Sequence, residues 1–383
     1  MSAASGNKPL WIVVNTSRLL VSATFIFSGM VKLLDPVGFG YKVDDYLLAL
    51  DFEQLTGTVW TLALAVFLAL VEFLLGVYLF FGIRRRMATW GILLFMLLYT
   101  PLTLWLAATD GVADCGCFGD AVKLTNWQTF WKNVILLVGA ILIWWQGQRL
   151  TRFISESVAW VISLYSILFG LAVGVYCCVE EPFLDFRPYY VGQNIPAAMA
   201  WPDDPQALPE ILDFDVAPEV LEDTSYTFLL IAPHLELAND GTMDVINSTY
   251  DFAHSQGYRF LALTASSDEA IRRWQDLTGA EYSFDFMDDL TLKTIARTNP
   301  AMLLLHDGTI VGKWAAASIP VKDFMSKPMP QVVDLQPKVY GRFEQFLYLF
   351  TLYAIPLIAL TLVDRIVCSI KWWIRRCRKI KNK

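Results

Sequence analysis

Six long apolar runs divide this chain, near residues 10–33, 58–82, 87–108, 128–147, 157–179 and 344–367. Each can cross about 30 Å of hydrocarbon at about 1.5 Å of rise per residue, so each predicts a transmembrane helix. Between the fifth and sixth runs the pattern changes to short apolar blocks alternating with amphipathic stretches. Tyr226–Ala232 and Arg259–Thr264 read as strands. Each precedes a helix: Met243–Gln256, ended by Gly257, and Asp268–Leu277, capped by Ser267 or Asp268 and stopped by Gly279. Tyr282–Met287 reads as a short strand and Leu290–Arg297 as a helix. Ala301–His306 and Thr309–Lys313 flank Asp307-Gly308, a tight-hairpin signal. This alternation implies a mixed sheet with covering helices. The expected architecture is an α-helical membrane bundle of about six spans, with a soluble α/β domain inserted between the last two.

Composition agrees. Of 383 residues, 55% are hydrophobic and only 17% charged, a balance that a water-soluble surface rarely permits. The first run leads into Lys32-Leu33-Leu34-Asp35-Pro36 without a small-residue cleavage pattern, and reads as a retained span rather than a leader. Basic residues then set the expected orientation. Arg84, Arg85 and Arg86 fill the turn between spans two and three, and Arg149 and Arg152 lie between spans four and five. Lys371, Arg375, Arg376, Arg378, Lys379, Lys381 and Lys383 follow span six. All three groups fall on one side, which the positive-inside rule makes the cytoplasm, along with both termini. The 34–57 loop, the loop holding Cys115 and Cys117, and the soluble domain then lie outside. That domain is acidic and contributes the net charge of -7, which argues against nucleic acid as a partner and leaves the lipid bilayer.

Two ionisable residues stand inside the spans. Arg18 and Glu72 lie at similar counted depth on neighbouring antiparallel spans, where a lone charge costs several kcal/mol and a pair is tolerable. Two readings fit: a polar intramembrane binding site, or a structural pin between helices. Lys32 lies near the outer end of its span and reads as interfacial, with its head snorkelling outward.

The first two spans carry Arg18-Leu19-Leu20, Phe25-Ile26-Phe27-Ser28-Gly29-Met30-Val31-Lys32-Leu33, Asp35-Pro36-Val37-Gly38-Phe39, Tyr46, Glu72 and Gly76. This pattern resembles the DoxX-like membrane family. With Asp114-Cys115-Gly116-Cys117-Phe118-Gly119, Trp127 and Asn133 it is similar to the MauE branch, over about residues 10–147. The resemblance implies a four-helix inner-membrane module in a redox setting. Relatives include a subunit of a thiosulfate:quinone oxidoreductase and a protein implicated in disulfide maturation of an exported enzyme subunit. Activity does not transfer automatically across so broad a group.

Topology sorts the six cysteines into pairs. Cys115 and Cys117 lie in the outward loop after span three, Cys177 and Cys178 at the outer end of span five, and Cys368 and Cys377 on the cytoplasmic side, where thiols stay reduced. An i,i+2 bridge through Gly116 is geometrically accessible if the chain bends, and its small ring is expected to be strained and readily exchanged. Cys115 and Cys117 are therefore either a redox pair or an inert staple. Cys177 and Cys178 are either a relay that exchanges with them or small residues packing a helix end. No Cys-x-x-Cys or His-Glu-x-x-His spacing suggests a metal site. No cofactor follows from the residues, and a quinone is compatible with the redox reading.

The element order of the outer domain, with Asn299-Pro300 just before the hairpin, resembles the thioredoxin fold over about residues 210–326. That fold would carry Cys-x-x-Cys after its first strand, where this chain has Pro233-His234-Leu235-Glu236-Leu237. The domain cannot exchange dithiols itself. His234 and Glu236 read as an acid–base pair or as ordinary surface residues.

The chain thus divides into a DoxX/MauE-like four-helix membrane domain (1–150), a fifth span (151–181) and a linker (182–224). An extracytoplasmic thioredoxin-like domain (225–340) follows, then a sixth span with a basic tail (341–383). Three functions fit: an inner-membrane thiol–disulfide or quinone-linked redox protein for extracytoplasmic clients; a non-catalytic scaffold or complex subunit; or a transporter lined by Arg18 and Glu72.

Overall fold

The computed structural model describes residues 8–57, 59–109, 116–202, 208–212, 214–334 and 342–381. Cys115 and the side chain of Cys377 lie outside the described residues. The chain divides into two compact units, one running to Val175 and resuming at Phe343, the other spanning Tyr176–Arg342. In chain order the helices of the first part are α1 (Lys8–Leu34), α2 (Pro36–Ala49), α3 (Val59–Phe81), α4 (Arg85–Thr109), α5 (Asn126–Trp145) and α6 (Glu156–Val179). The second unit holds α7 (Ile195–Met199), α8 (Pro218–Leu221), β1 (Tyr226–Ile231), α9 (Met243–Ser255), β2 (Arg259–Thr264) and α10 (Asp268–Thr278). It continues through β3 (Ser283–Phe286), α11 (Asp289–Ile295), β4 (Ala301–His306), β5 (Thr309–Ala315), α12 (Val321–Ser326) and α13 (Met329–Asp334). The C-terminal helix is α14 (Arg342–Lys381). Among the described residues six helices, α1, α3, α4, α5, α6 and α14, are long and apolar enough to cross a membrane. This is a membrane protein with a separate mixed α/β domain.

The segment after span one, read from sequence as a loop, is largely helix α2. Asp35 caps it, its carboxylate accepting from Gly38 N at 2.9 Å, and Pro36 occupies the first turn, where its missing N–H costs nothing. The register between α1 and α3 has larger consequences. A Cβ on Gly76 would lie 2.7 Å from Ile26 N, and one on Gly29 would collide with the Phe73 backbone. The two helices therefore interlock through small residues, as membrane helices do when backbones approach closely. This pairing sets the end of α1 against the middle of α3, and α2 continues along the N-terminal part of α3.

At the opposite end of α3, the Arg85 guanidinium donates to Leu150 O at 2.7 Å. In α14, Arg365 donates to Phe153 O at 2.7 Å and Arg152 O at 2.8 Å, while Asp364 accepts from Ser155 N at 2.8 Å. The arginine-rich turn, Arg152, and the α14 segment leading to the basic tail thus gather at one end of the first unit.

In the second unit the sheet order is β3-β2-β1-β4-β5, parallel among the first three strands and antiparallel at β1–β4 and β4–β5. Both faces are covered, so β1 and β4 are buried on each. Leu229, Ile231, Leu303 and Leu305 enter one core, and Phe228, Leu230, Met302 and Leu304 the other, as the two-residue strand period requires. The β4–β5 turn has positive φ at Asp307 (51°) and Gly308 (64°), the conformation expected of Asp-Gly. The Asn299-Pro300 peptide is cis. Over its described part the stretch 182–224 is not a free tether. Tyr189, Ile195, Ala198, Ile211, Phe214 and Val220 are buried in the first of those cores, and Ile195 N donates to Gly308 O at 2.9 Å. Its Pro and Asp content signals irregular backbone, not exposure.

Candidate functional site: a buried ion pair beneath the cysteine loop

Glu72 stands midway along α3, about 20 Å from Val59 at helical rise. Its partner is Lys32, not Arg18. Lys32 Nζ lies 2.6 Å from Glu72 Oε2, and the two side chains are 3% and 5% exposed. The rings of Phe39 and Tyr99 lie over the ammonium, with centroids at 4.9 and 5.5 Å, adding cation–π attraction in a dry setting. Lys32 is thus not interfacial. Depth counted from span ends misplaced it because α1 runs past the end of α3 at one terminus and stops short at the other.

The same offset explains Arg18. It reaches the C-terminus of α3, donating to Leu79 O at 3.0 Å and to Phe80 O, and also to Thr151 O at 2.6 Å and Thr151 Oγ1 at 2.9 Å. Its guanidinium lies 4.4 Å from the Phe153 ring centroid. Leu79 O and Phe80 O belong to the last turn of α3, where Leu79 O accepts only a turn-type bond from Gly82 N at 3.3 Å among the described backbone groups, and a cation there also meets the negative end of the helix dipole. Arg18 is a buried helix cap that ties α3 to the segment before α6. Eight residues of α3 separate its contacts from Glu72, about 12 Å at helical rise, so the expected Arg18–Glu72 pairing is ruled out.

The described part of the cysteine loop rests on the ion pair's own helix. Ser28 Oγ donates to Cys117 O at 2.6 Å, and Lys32 follows Ser28 by one helical turn on the same face. Cys117 is half-buried and packs, as do Tyr46 of α2 and Trp105 of α4, against the buried Leu106 of α4. Gly116 has a φ of 61° and is buried against Lys42, whose Cγ would be 2.9 Å from an added Cβ. Phe118 packs against Phe27 with the rings tilted by 60° and centroids 5.4 Å apart, and Lys132 Nζ lies 4.0 Å from the Phe118 ring centroid. Below them Asn133 donates to Thr103 Oγ1 at 3.2 Å, linking α5 to α4. Ser28 and Lys32 carried one legible signal, their i,i+4 spacing on the helix that faces the loop.

The second unit places the other candidates. Cys177 is buried and Cys178 half-buried in the last turn of α6, and Cys178 is a free thiol. After β1, His234 Nε2 lies 3.0 Å from Asp289 Oδ1, and Glu236 accepts from Ser266 Oγ at 2.9 Å. They bond elsewhere rather than to each other. Hydrogen bonds from its own N–H and from Ser266, with His234 nearby, hold the Glu236 carboxyl below the usual range.

An ionic cluster that sequence reading missed sits inside this unit. Arg187 grips Asp185 bidentately at 2.7 and 2.8 Å and reaches Glu181 at 3.1 Å. Lys313 reaches Asp185 at 2.8 Å. Glu181 Oε1 accepts from Arg297 N, Thr298 N and Thr298 Oγ1, at 2.7 to 3.0 Å. Burial alone would raise both carboxyls, but Lys313 and Arg187 outweigh it and hold Glu181 and Asp185 low. Burial and the neighbouring Arg187 push Lys313 down despite its two carboxylates. The cluster clamps the chain just after α6 to the loop before β4, which is a structural task.

The first unit is a polytopic helical bundle with an internal charge pair and a cysteine loop folded onto it. Residues 10–146, the first four spans, match a protein-family model described as Methylamine utilisation protein MauE. No curated protein and no solved structure matches the chain.

Proposed function

We propose that this chain is a thiol–disulfide exchange protein of the bacterial inner membrane, with Cys115 and Cys117 as the exchanging pair. Both termini are cytoplasmic and the α/β domain faces the periplasm, where protein clients meet the loop. The observation that carries this reading is the Lys32–Glu72 pair, held dry in mid-bundle one turn from the Ser28 clamp on Cys117. Buried ions are costly in hydrocarbon and in membrane proteins usually mark function. A cation close to a sulfur favours its thiolate, the form that attacks and leaves.

In the proposed reaction a client thiolate attacks the Cys115 sulfur of a Cys115–Cys117 disulfide, and Cys117 leaves as thiolate beside Lys32. A second client thiolate resolves the mixed disulfide. The client's two thiols become a disulfide with loss of two protons, and the loop gains two electrons. A lipid-soluble quinone then takes two electrons and two protons to restore the loop.

The sheet order of the α/β domain supports a thioredoxin-like fold, as a DoxX/MauE-like bundle fused to a degenerate thioredoxin-like domain would have. His234 and Glu236 stand where such a domain would carry its dithiol, so it positions clients rather than oxidising them. That substitution also favours a second reading, a non-catalytic accessory subunit. A trapping experiment separates the two. A Cys117→Ser chain lacks the thiolate that reverses the first exchange, so under a thiol oxidant Cys115 should accumulate a mixed disulfide, either with a client or with Cys178 or Cys177. No adduct under any oxidant would leave the accessory reading standing.

A further inference from the structure

At the arginine-rich end of the first unit lies a groove of 1130 Å³ between the α3–α4 turn and the end of α5. Arg84, Arg85, Arg86 and Arg152 line it together with Trp90, Trp144 and Trp145, and none of its described lining residues is acidic. The arginines are not equally engaged. Arg85 is spent on Leu150 O and Arg152 on Glu156, whereas the exposed side chains of Arg84 and Arg86 have no hydrogen-bond or ion-pair partner among the described residues. Trp90 and Trp144 meet edge to face, with centroids 5.1 Å apart. Trp90 and Leu94, one turn further along α4, are 54% and 58% exposed on a spanning helix. The groove therefore runs from a cationic mouth onto an apolar, lipid-facing wall.

We infer that this groove holds an anionic phospholipid, with its headgroup phosphodiester against Arg84 and Arg86 and an acyl chain along Trp90 and Leu94. Guanidinium forks match phosphate oxygens geometrically, and indoles concentrate at headgroup level with their N–H groups toward the polar side. Basic pockets between membrane helices are suited to such headgroups. A free phosphate would use the same two arginines but gain nothing from the apolar wall, so the wall favours the lipid. The inference is independent of the cysteine chemistry.

The test uses the full chain in mild detergent, with bound lipid counted by native mass spectrometry. The probes are phosphatidylglycerol and phosphatidylcholine of identical acyl chains, at equal concentration. The wild-type chain should retain phosphatidylglycerol in preference by about thirtyfold, five- to sixfold for each guanidinium at the surface. Arg84→Gln with Arg86→Gln should reduce the preference to about twofold, and Arg84→Lys with Arg86→Lys should keep most of it. Lys371→Gln with Arg375→Gln, outside the groove, should leave it unchanged. Inorganic phosphate at the lipid's concentration should not compete. Absence of a preference in the wild-type chain, its survival in the double Gln variant, its loss in the tail variant, or full displacement by inorganic phosphate would each overturn the assignment.

Discussion

Replacing Glu72 with Gln isolates one charge of the buried pair. Both side chains are almost fully enclosed, and the Lys32 ammonium has Glu72 at 2.6 Å and otherwise aromatic faces. Glutamine keeps the shape and a hydrogen-bond acceptor but leaves an uncompensated cation in mid-bundle. Breaking a buried pair on one side costs about 3–5 kcal/mol, because the surviving ion stays desolvated. Removing both charges is different. Lys32→Met with Glu72→Leu replaces the pair by apolar groups of similar volume, and its stability should fall within about 1 kcal/mol of the wild-type chain. The assay is thermal unfolding of the membrane unit in mild detergent, arranged as a double-mutant cycle. Lys32 and Glu72 should couple strongly. Arg18→Met and Glu72→Gln, whose sites lie about 12 Å apart, should add to within about 0.5 kcal/mol. A cost below about 1 kcal/mol for Glu72→Gln, or coupling to Arg18 in place of Lys32, would refute the register on which the site rests.

Three further outcomes are expected. In a Cys115→Ser background, Lys32→Met with Glu72→Leu should slow iodoacetamide labelling of Cys117 at pH 7, by less than the effect of a single charge because the variant removes the Glu72 anion together with the Lys32 cation. At high pH, where the thiolate forms regardless, labelling rates should converge; equal rates at pH 7 would remove Lys32 from the chemistry. The α/β domain should lose stability as pH falls below about 4: Glu181 and Asp185 titrate lower folded than unfolded, so their contribution is present above the unfolded value and lost as pH falls through the folded one. Limited proteolysis of the full chain against pH reads this, and Arg187→Met should shift the loss toward neutral pH. Reporters fused after residue 86 and near residue 205 should lie on opposite membrane faces, and finding both on one face would contradict the proposed orientation.

Much of the fold was legible because its signals are local. Span length, the strand period, the Ser267 cap and the Asp307-Gly308 turn each act within a few residues, and the elements they specify form. The site was less legible because it depends on a register between two helices. Glycines 29 and 76 set that register, and counting depth from hydrophobic ends cannot detect it. It turned Lys32 from an apparent snorkel into a buried partner and Arg18 from an apparent partner into a helix cap. The Glu181–Asp185–Arg187–Lys313 cluster was hidden for the same reason, since Lys313 is distant in sequence from the other three, and Asp185 and Arg187 lie in a stretch whose composition resembles a linker.

The proposed exchange chemistry is tested most directly by the thiol state of Cys115 and Cys117 in the purified full chain. After equilibration with oxidised or reduced glutathione, both would be alkylated with a mass tag and counted by mass spectrometry. The account predicts that the two sulfurs convert together between a protected and a labelled state as the glutathione ratio changes, and that a membrane quinone returns the reduced loop to the protected state. Two cysteines that label fully in every buffer, or stay protected under strong reductant, would contradict it.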